Sequence, residues 1–416
     1  MIINGSTYNS HWSEKKLSDL GTFKRGKSKH RPRNDPLLFS DGKHPLVQTG
    51  EVKSANLYIN HHSATYNDLG LKQSQLWPKD TLCITIAANI AETALLGYPM
   101  CFPDSVVGFN AFPDTSSELF MHYVFTYIRK SIQNSASGSI QDNINIDYLT
   151  SLKFKVPPKP YQDKISAVLA NLDRKIDLNN RINAELEAMA KTLYDFWFVQ
   201  FDFPDANGKP YKTSGGKMVY NPTLKREIPE GWSIKTLSQI ANITMGQSPD
   251  GESYNEEGNG TVFFQGSTDF GWLFPTTRQF TTAPSRMAKK GDILLSVRAP
   301  VGDMNIAKVD CCIGRGLAAL NSKTGSDGFL FYVMKYFKQI FDRRNSAGTT
   351  FGSITKDDLH SLELVYPESA TLKKYDAIVS KYNQMIFQRS LENEQLVSLR
   401  DWLLPMLMNG QVTIKC

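Results

Sequence analysis

The chain contains itself twice, and that repeat limits its fold more than any single motif does. WSEKKLSDLGTFKRGKS, Trp12 to Ser28, returns as WSIKTLSQIANITMGQS, Trp232 to Ser248, with Trp, Ser, Leu, Ser, Gly and Ser in register at a shift of 220. PKDTL ending at Leu82 answers KGDIL ending at Leu294, a shift of 212. FMHYVFTYI from Phe120 answers FLFYVMKYF from Phe329, and IDYLTSLKFKVP, Ile146 to Pro157, answers TKDDLHSLELVYP ending at Pro367. Four matches in the same order indicate a tandem duplication whose copies have drifted mainly in loop length. The 416 residues are therefore two units, each long enough to bury a core of its own.

Each copy has one layout. Short apolar runs punctuated by Gly, Pro and Asn predict mixed strands and helices with many loops. A short amphipathic helix is expected at Tyr123 to Ile132, then an extended run into Pro157 or Pro367, then a long helix. From Tyr161 to about Val199, the residues Ile165, Leu169, Leu172, Ile176, Asn179, Asn183, Leu186, Ala190, Leu193 and Trp197 alternate spacings of three and four. The second copy offers Tyr375, Val379, Tyr382, Ile386, Arg389, Asn393, Leu396, Arg400, Leu403 and Leu407. A 3.5-residue repeat favours a coiled-coil seam, and polar seam residues such as Asn179/Asn183 and Arg389/Asn393 fix register at a cost in stability. At 1.5 Å per residue such a helix is roughly 58 Å long, more than the ~34 Å of one B-DNA turn. Paired antiparallel, two such helices would hold the globular copies apart and relate them by an approximate twofold. Two independent amphipathic helices, each packed on its own copy, are the alternative.

The expected fold is α+β. Its parts are a first globular domain at 1–160, a spacer helix at 161–200, a Gly/Pro/Lys-rich connector at 201–231, a second globular domain at 232–367 and a second spacer helix at 368–416. With 41% hydrophobic and 21% charged residues the composition is that of a folded protein and excludes long disordered or collagen-like tracts. A net charge of +6 is too small to name a partner. Cys83, Cys101, Cys311, Cys312 and Cys416 form neither a CxxC pair nor a disulfide framework, and Cys311-Cys312 reads as a buried strand. The amino terminus has no apolar signal region and no run is long enough to span a bilayer, so the cytoplasm is the expected compartment.

Gly21 to Ser28 matches G-x-x-x-x-G-K-[ST], but a P-loop needs a strand before it and a helix after it. Pro32 and Pro36 follow too closely for that helix, and the second copy lacks the lysine and the first glycine. The same stretch matters more as charge. Lys24, Arg25, Lys27, Lys29, Arg31 and Arg33 lie within ten residues without an acid, which suits contact with a nucleic-acid backbone or, alternatively, a solvated surface loop. In the second copy Lys289 and Lys290 precede a strand-like run ending at Arg298, and Arg315 sits in a glycine turn. These arginines either reach phosphate and guanine edges or pair with Asp303 or Asp310. No metal-protease, serine-hydrolase or nuclease constellation is present in the sequence, and His61-His62 has no ligand at metal-binding spacing.

Several stretches resemble the specificity subunit of type I restriction-modification systems: FWFVQFDFPDANGKPYKTSGGKMVYNPTLKREIPEGW at Phe196 to Trp232, SVRAPVGDMNI at Ser296 to Ile306, IGRGLAAL at Ile313 to Leu320, ITIAANI with CFPDSVVGF, and LLPMLMNGQV at Leu403 to Val412. The resemblance implies a non-catalytic reader of double-stranded DNA with two target recognition domains, each reading one half of a bipartite site. It further implies that the helices set the unread gap and dock two methyltransferase subunits. S-adenosylmethionine would then belong to those partners, and ATP and Mg²⁺ to restriction/translocase subunits. A coiled-coil adaptor without DNA binding and a P-loop nucleotide hydrolase are the competing classes.

Overall fold

The two ends of each repeat meet as a strand pair. In the first copy Ser13–Lys16 runs antiparallel to Lys153–Val156, with Ser13 opposite Val156 and Lys16 opposite Lys153. In the second, Ser233–Thr236 runs antiparallel to Glu363–Tyr366, with Ser233 opposite Tyr366. The closing strands share one alternation, Phe154 and Val156 buried in the first, Leu364 and Tyr366 in the second, so each lays one face on its core. The sequence matches at Trp12–Ser28 and Ile146–Pro157 therefore preserve the clasp that closes a unit. The computed structural model describes residues 2–87, 89–137, 145–346 and 353–414; Cys416 lies outside them.

The same two four-stranded sheet cores are built in both copies, with Tyr58–Ile59 added to the main sheet of the first and Tyr254–Asn255 to the second sheet of the second. The first copy orders Gly21–Arg25, Val106–Ala111, Leu82–Thr85 and Thr93–Leu96 as antiparallel neighbours; the second orders Ala241–Met245, Leu317–Ser322, Ile293–Ser296 and Met304–Ile306. Val106–Phe109 and Leu317–Leu320 are buried throughout, as expected of strands flanked on both edges and packed on both faces. A second sheet places His44–Leu46 parallel to Met100–Cys101 in one copy, and Thr261–Phe264 parallel to Cys311–Ile313 in the other. Cys311 and Cys312 thus lie in a buried strand.

Among the described residues there are four long helices: α1 (Glu118–Ser137), α2 (Lys159–Tyr194), α3 (Asp327–Ser346) and α4 (Ser369–Met408). The α1 helix is longer than the short helix expected at Tyr123 to Ile132, since its buried stripe already begins at Phe120 and Met121. The α2 helix starts straight after Pro157-Pro158 and ends in one wider π turn, Asp195–Val199. The chain divides into two compact units, residues 1–179 with 392–416 and residues 180–391, so both α2 and α4 contribute to each.

Within the first unit, Ile165, Leu169 and Ile176 of α2 and Leu404, Leu407 and Met408 of α4 are buried, with Leu172, Leu396 and Leu403 partly so. Asn179 Nδ2 donates to Asn393 Oδ1 at 2.9 Å and to Glu392 at 2.8 Å, and Arg400 meets Asp173 at 2.8 Å. Residue numbers that fall on one helix as they rise on the other mean that these two stretches run in opposite directions. In the second unit Leu186 and Ala190 of α2 and Tyr375, Val379 and Ile386 of α4 are buried, with Leu193 and Tyr382 partly so. Here the seam differs by one residue from the sequence reading. Ser390 takes the buried position and approaches Asn183 at 3.4 Å, while Arg389 turns its guanidinium to its own helix, donating to Met385 O. A hydroxyl can be satisfied inside a helix seam, whereas an arginine must keep its charge near water.

Candidate nucleic-acid interface

The basic stretch of the first unit leaves the edge of its main sheet. Lys24 and Arg25 end the strand Gly21–Arg25, paired to Gly108 and Val107, and Lys27 and Lys29 follow in the loop; all four are exposed. No helix follows Ser28 that could receive a phosphate, which removes the structural requirement of a P-loop. Arg31 and Arg33 behave differently. Asp104, distant in sequence, accepts from Arg33 Nη2 at 2.8 Å and lies 3.8 Å from Arg31 Nη2. Arg31 also donates to the carbonyls of Ser28 and His30, and His30 meets Asp35 at 2.7 Å. A backbone amide from Leu37 and the His30 ring hold the Asp35 carboxyl below the usual carboxylate range. The stretch that is free of acids in sequence is partly neutralised in space.

In the second unit Lys289 and Lys290 are exposed, their backbone amides tied to Asp292 and Asp310. Arg298 and Arg315 are exposed too, and neither pairs with a carboxylate among the described residues. Asp303 is taken by Lys338 at 2.9 Å, and Asp310 accepts the Lys290 amide at 2.8 Å. Both arginines stand at strand ends, Arg298 just beyond Ile293–Ser296 and Arg315 in the turn between Cys311–Ile313 and Leu317–Ser322.

Beside Arg315 lies a polar cleft of about 610 Å³ that sequence reading did not single out, lined among others by Ser248, Gln265, Arg278 and Gln279. Its only sequence signal is the repeated Gly-x-Ser, Gly26–Ser28 and Gly246–Ser248. A separate, mainly apolar cavity of about 300 Å³ in the same unit is lined by residues such as Ile293, Met304, Phe331 and Phe387, with Glu187 and Lys335 at its polar part. Among the described residues no cluster of His, Cys, Asp and Glu could hold a metal ion, and no helix is long and apolar enough to cross a membrane.

The family of type I restriction modification DNA specificity domains matches residues 9–188 and 229–394, one match in each copy. The chain belongs to this family. A Methanocaldococcus jannaschii protein provisionally named the type I restriction enzyme MjaX specificity subunit is 32% identical over 296 residues, covering 70% of the chain and 65% of that relative. The type I restriction enzyme MjaIX specificity subunit of the same organism is 24% identical and covers 97% of the chain and 94% of the relative. The crystal structure of a type I restriction-modification system S subunit from M. genitalium superposes with a TM-score of 0.58 at 17% identity, covering 100% of both chains, which is a likeness of fold.

Proposed function

We propose that the chain is the DNA-recognition subunit of a type I restriction-modification complex, with each copy a target recognition domain that reads one half of a bipartite duplex site. The observation that carries this reading is one pair of sheets and one strand clasp built twice, with different side chains at matching edge positions: Lys24, Arg25 and Lys27 in the first copy where the second has Thr244, Met245 and Gln247, and Asp104 in the first where the second has Arg315 beside a polar cleft. Repeated frameworks with divergent edges suit two unlike half-sites.

In this reading α2 and α4 form an antiparallel, coiled-coil-like pair related by an approximate twofold, which sets the length of the unread gap and docks two methyltransferase subunits. The chain itself performs no chemistry. S-adenosylmethionine is bound by the methyltransferase partners, and ATP and Mg²⁺ by restriction/translocase subunits. Lys24, Arg25, Lys27, Lys29, Lys289 and Lys290 supply phosphate contacts, which position the protein without reading sequence. Exchange of residues 250–345 for the matching segment of a relative, followed by sequencing that detects methylated adenine, tests the assignment. One half of the modified site should change; a change in both halves, or in neither, overturns it.

A further inference from the structure

The geometry points to Arg315 and Gln265 as the base-reading pair of the second unit, Arg315 on guanine and Gln265 on an adjacent adenine in the major groove, with Ser248 as their positioning residue. This rests on the DNA-recognition reading above and names the side chains by which one half-site would be read.

Three loops converge here through their backbones. Gly246 N donates to Leu317 O, Gln247 N to Ile313 O, Gly314 N to Phe264 O and Gly316 N to Gln265 O, all between 2.8 and 3.2 Å. The approach leaves no room for side chains. A Cβ on Gly246 would lie 2.1 Å from Gly314 O, and one on Gly316 would lie 2.8 Å from Gln265 O. A loop junction held this way is rigid, which is what a base-reading side chain needs, since discrimination is lost when the reader can shift to suit the wrong base.

The Ser248 hydroxyl joins the two readers. Its Oγ accepts from Gln265 Nε2 at 2.9 Å and from the Arg315 backbone amide at 3.4 Å. The Gln265 amide is placed with its nitrogen toward Ser248. One Nε2 hydrogen and Oε1 stay uncommitted among the described residues, the donor and acceptor that meet adenine N7 and N6. Arg315 is exposed, and its five side-chain donors are uncommitted among the described residues, the set that meets guanine O6 and N7. The cleft of about 610 Å³ between them gives a base edge access.

The first copy supports the assignment by contrast. Gly26 N donates to Val106 O, and a Cβ on Gly26 would lie 2.3 Å from Pro103 O, so the Gly26 loop meets the Pro103 turn as the Gly246 loop meets the Gly314 turn. Asp104 then occupies the place of Arg315, and it holds Arg31 and Arg33 instead of presenting a free cation. One framework position carries opposite charges in the two copies, as expected where two readers face different bases.

The test is selection from a randomised duplex library by the full chain assembled with its methyltransferase subunits. The unsubstituted protein should enrich a bipartite site with adjacent guanine and adenine in one half. Arg315→Ala should lower discrimination at the guanine roughly 5- to 150-fold, and Arg315→Lys should keep the preference at a smaller ratio. Gln265→Glu should move preference at the neighbouring position from adenine toward cytosine, because a carboxylate accepts from cytosine N4 and cannot donate to N7. Ser248→Ala should lessen adenine discrimination without changing the preferred base. The other half-site, unchanged in every variant, is the control for folding. A specific unsubstituted protein whose profile survives Arg315→Ala and Gln265→Glu overturns this assignment alone; an unsubstituted complex that enriches no sequence overturns the DNA-recognition reading beneath it.

Discussion

Tyr123 donates its phenolic proton to Asp173 at 2.6 Å, joining α1 to α2 in the core of the first unit. Burial first, and the Asp173 charge second, push the Tyr123 pKa well up, so the phenol stays a donor. Arg400 of α4 meets the other carboxylate oxygen at 2.8 Å, and Asp173 is only 2% exposed. The second unit repeats the contact in neutral form, Tyr332 OH to Asn383 Oδ1 at 3.5 Å. Removal of one member of a buried ion pair strands the other, so Asp173→Ala should destabilise the chain by about 3 kcal/mol in urea unfolding. Asp173→Ala combined with Arg400→Met should recover much of that loss, and recovery of none would mean that the lost Tyr123 bond dominates.

His122 gives the first unit a dependence on pH. It is buried against Thr93 Oγ1 at 3.1 Å, and burial, then Arg129 and Arg400, lower its pKa to about 3. The folded state therefore binds fewer protons than the unfolded state between that value and the unfolded pKa of ~6.5. Its contribution is complete above pH ~6.5 and falls by about 1.4 kcal/mol for each pH unit below it, until the folded pKa is reached. The matched residue of the second copy is Phe331. His122→Phe should flatten the acid limb of a pH-stability curve between pH 7 and 4.5, leaving only the slope from carboxylates.

Much of this was legible in the sequence because the duplication preserved the parts that close a unit. Trp12–Ser28 and Ile146–Pro157 match their counterparts, and they are the strands that clasp. The α2 seam from Ile165 to Leu186 was legible because a buried stripe leaves a period. Asp104 beside Arg33 was not, because that pairing spans 71 residues and arises from sheet order, to which a local charge count is blind. Ser390 in place of Arg389 turned on a one-residue choice between polar neighbours, decided by which side chain could be buried. The Gln265 cleft is made by main-chain contacts among three loops, and glycine spacing alone does not reveal which loops meet.

The proposed spacer makes a length prediction. One heptad inserted between Asn179 and Asn180 in α2, together with one between Leu391 and Glu392 in α4, keeps the seam period and falls at the boundary of the compact units. Seven residues add about 10 Å to a helix, close to three base pairs of B-DNA at ~3.4 Å each. The methylated site should keep both half-sequences and gain about three base pairs of gap. An unchanged gap, with methylation retained, would show that the helices do not set it.

The basic loop of the first unit should divide into two classes. Lys24, Arg25, Lys27 and Lys29 are exposed, and no carboxylate neutralises them among the described residues, whereas Asp104 already pairs Arg31 and Arg33. Each phosphate contact adds about 0.9 to the slope of log K against log salt. Replacement of the first four by Ala should lower that slope by up to about 3.6 and weaken all duplexes alike, specific or not. Replacement of Arg31 and Arg33 should change the slope less, because their charge is already answered by Asp104. Asp104→Asn should raise the slope by releasing them. A salt titration of the assembled complex on one duplex reads all three, and equal slopes across the set would return the whole loop to the role of solvated surface.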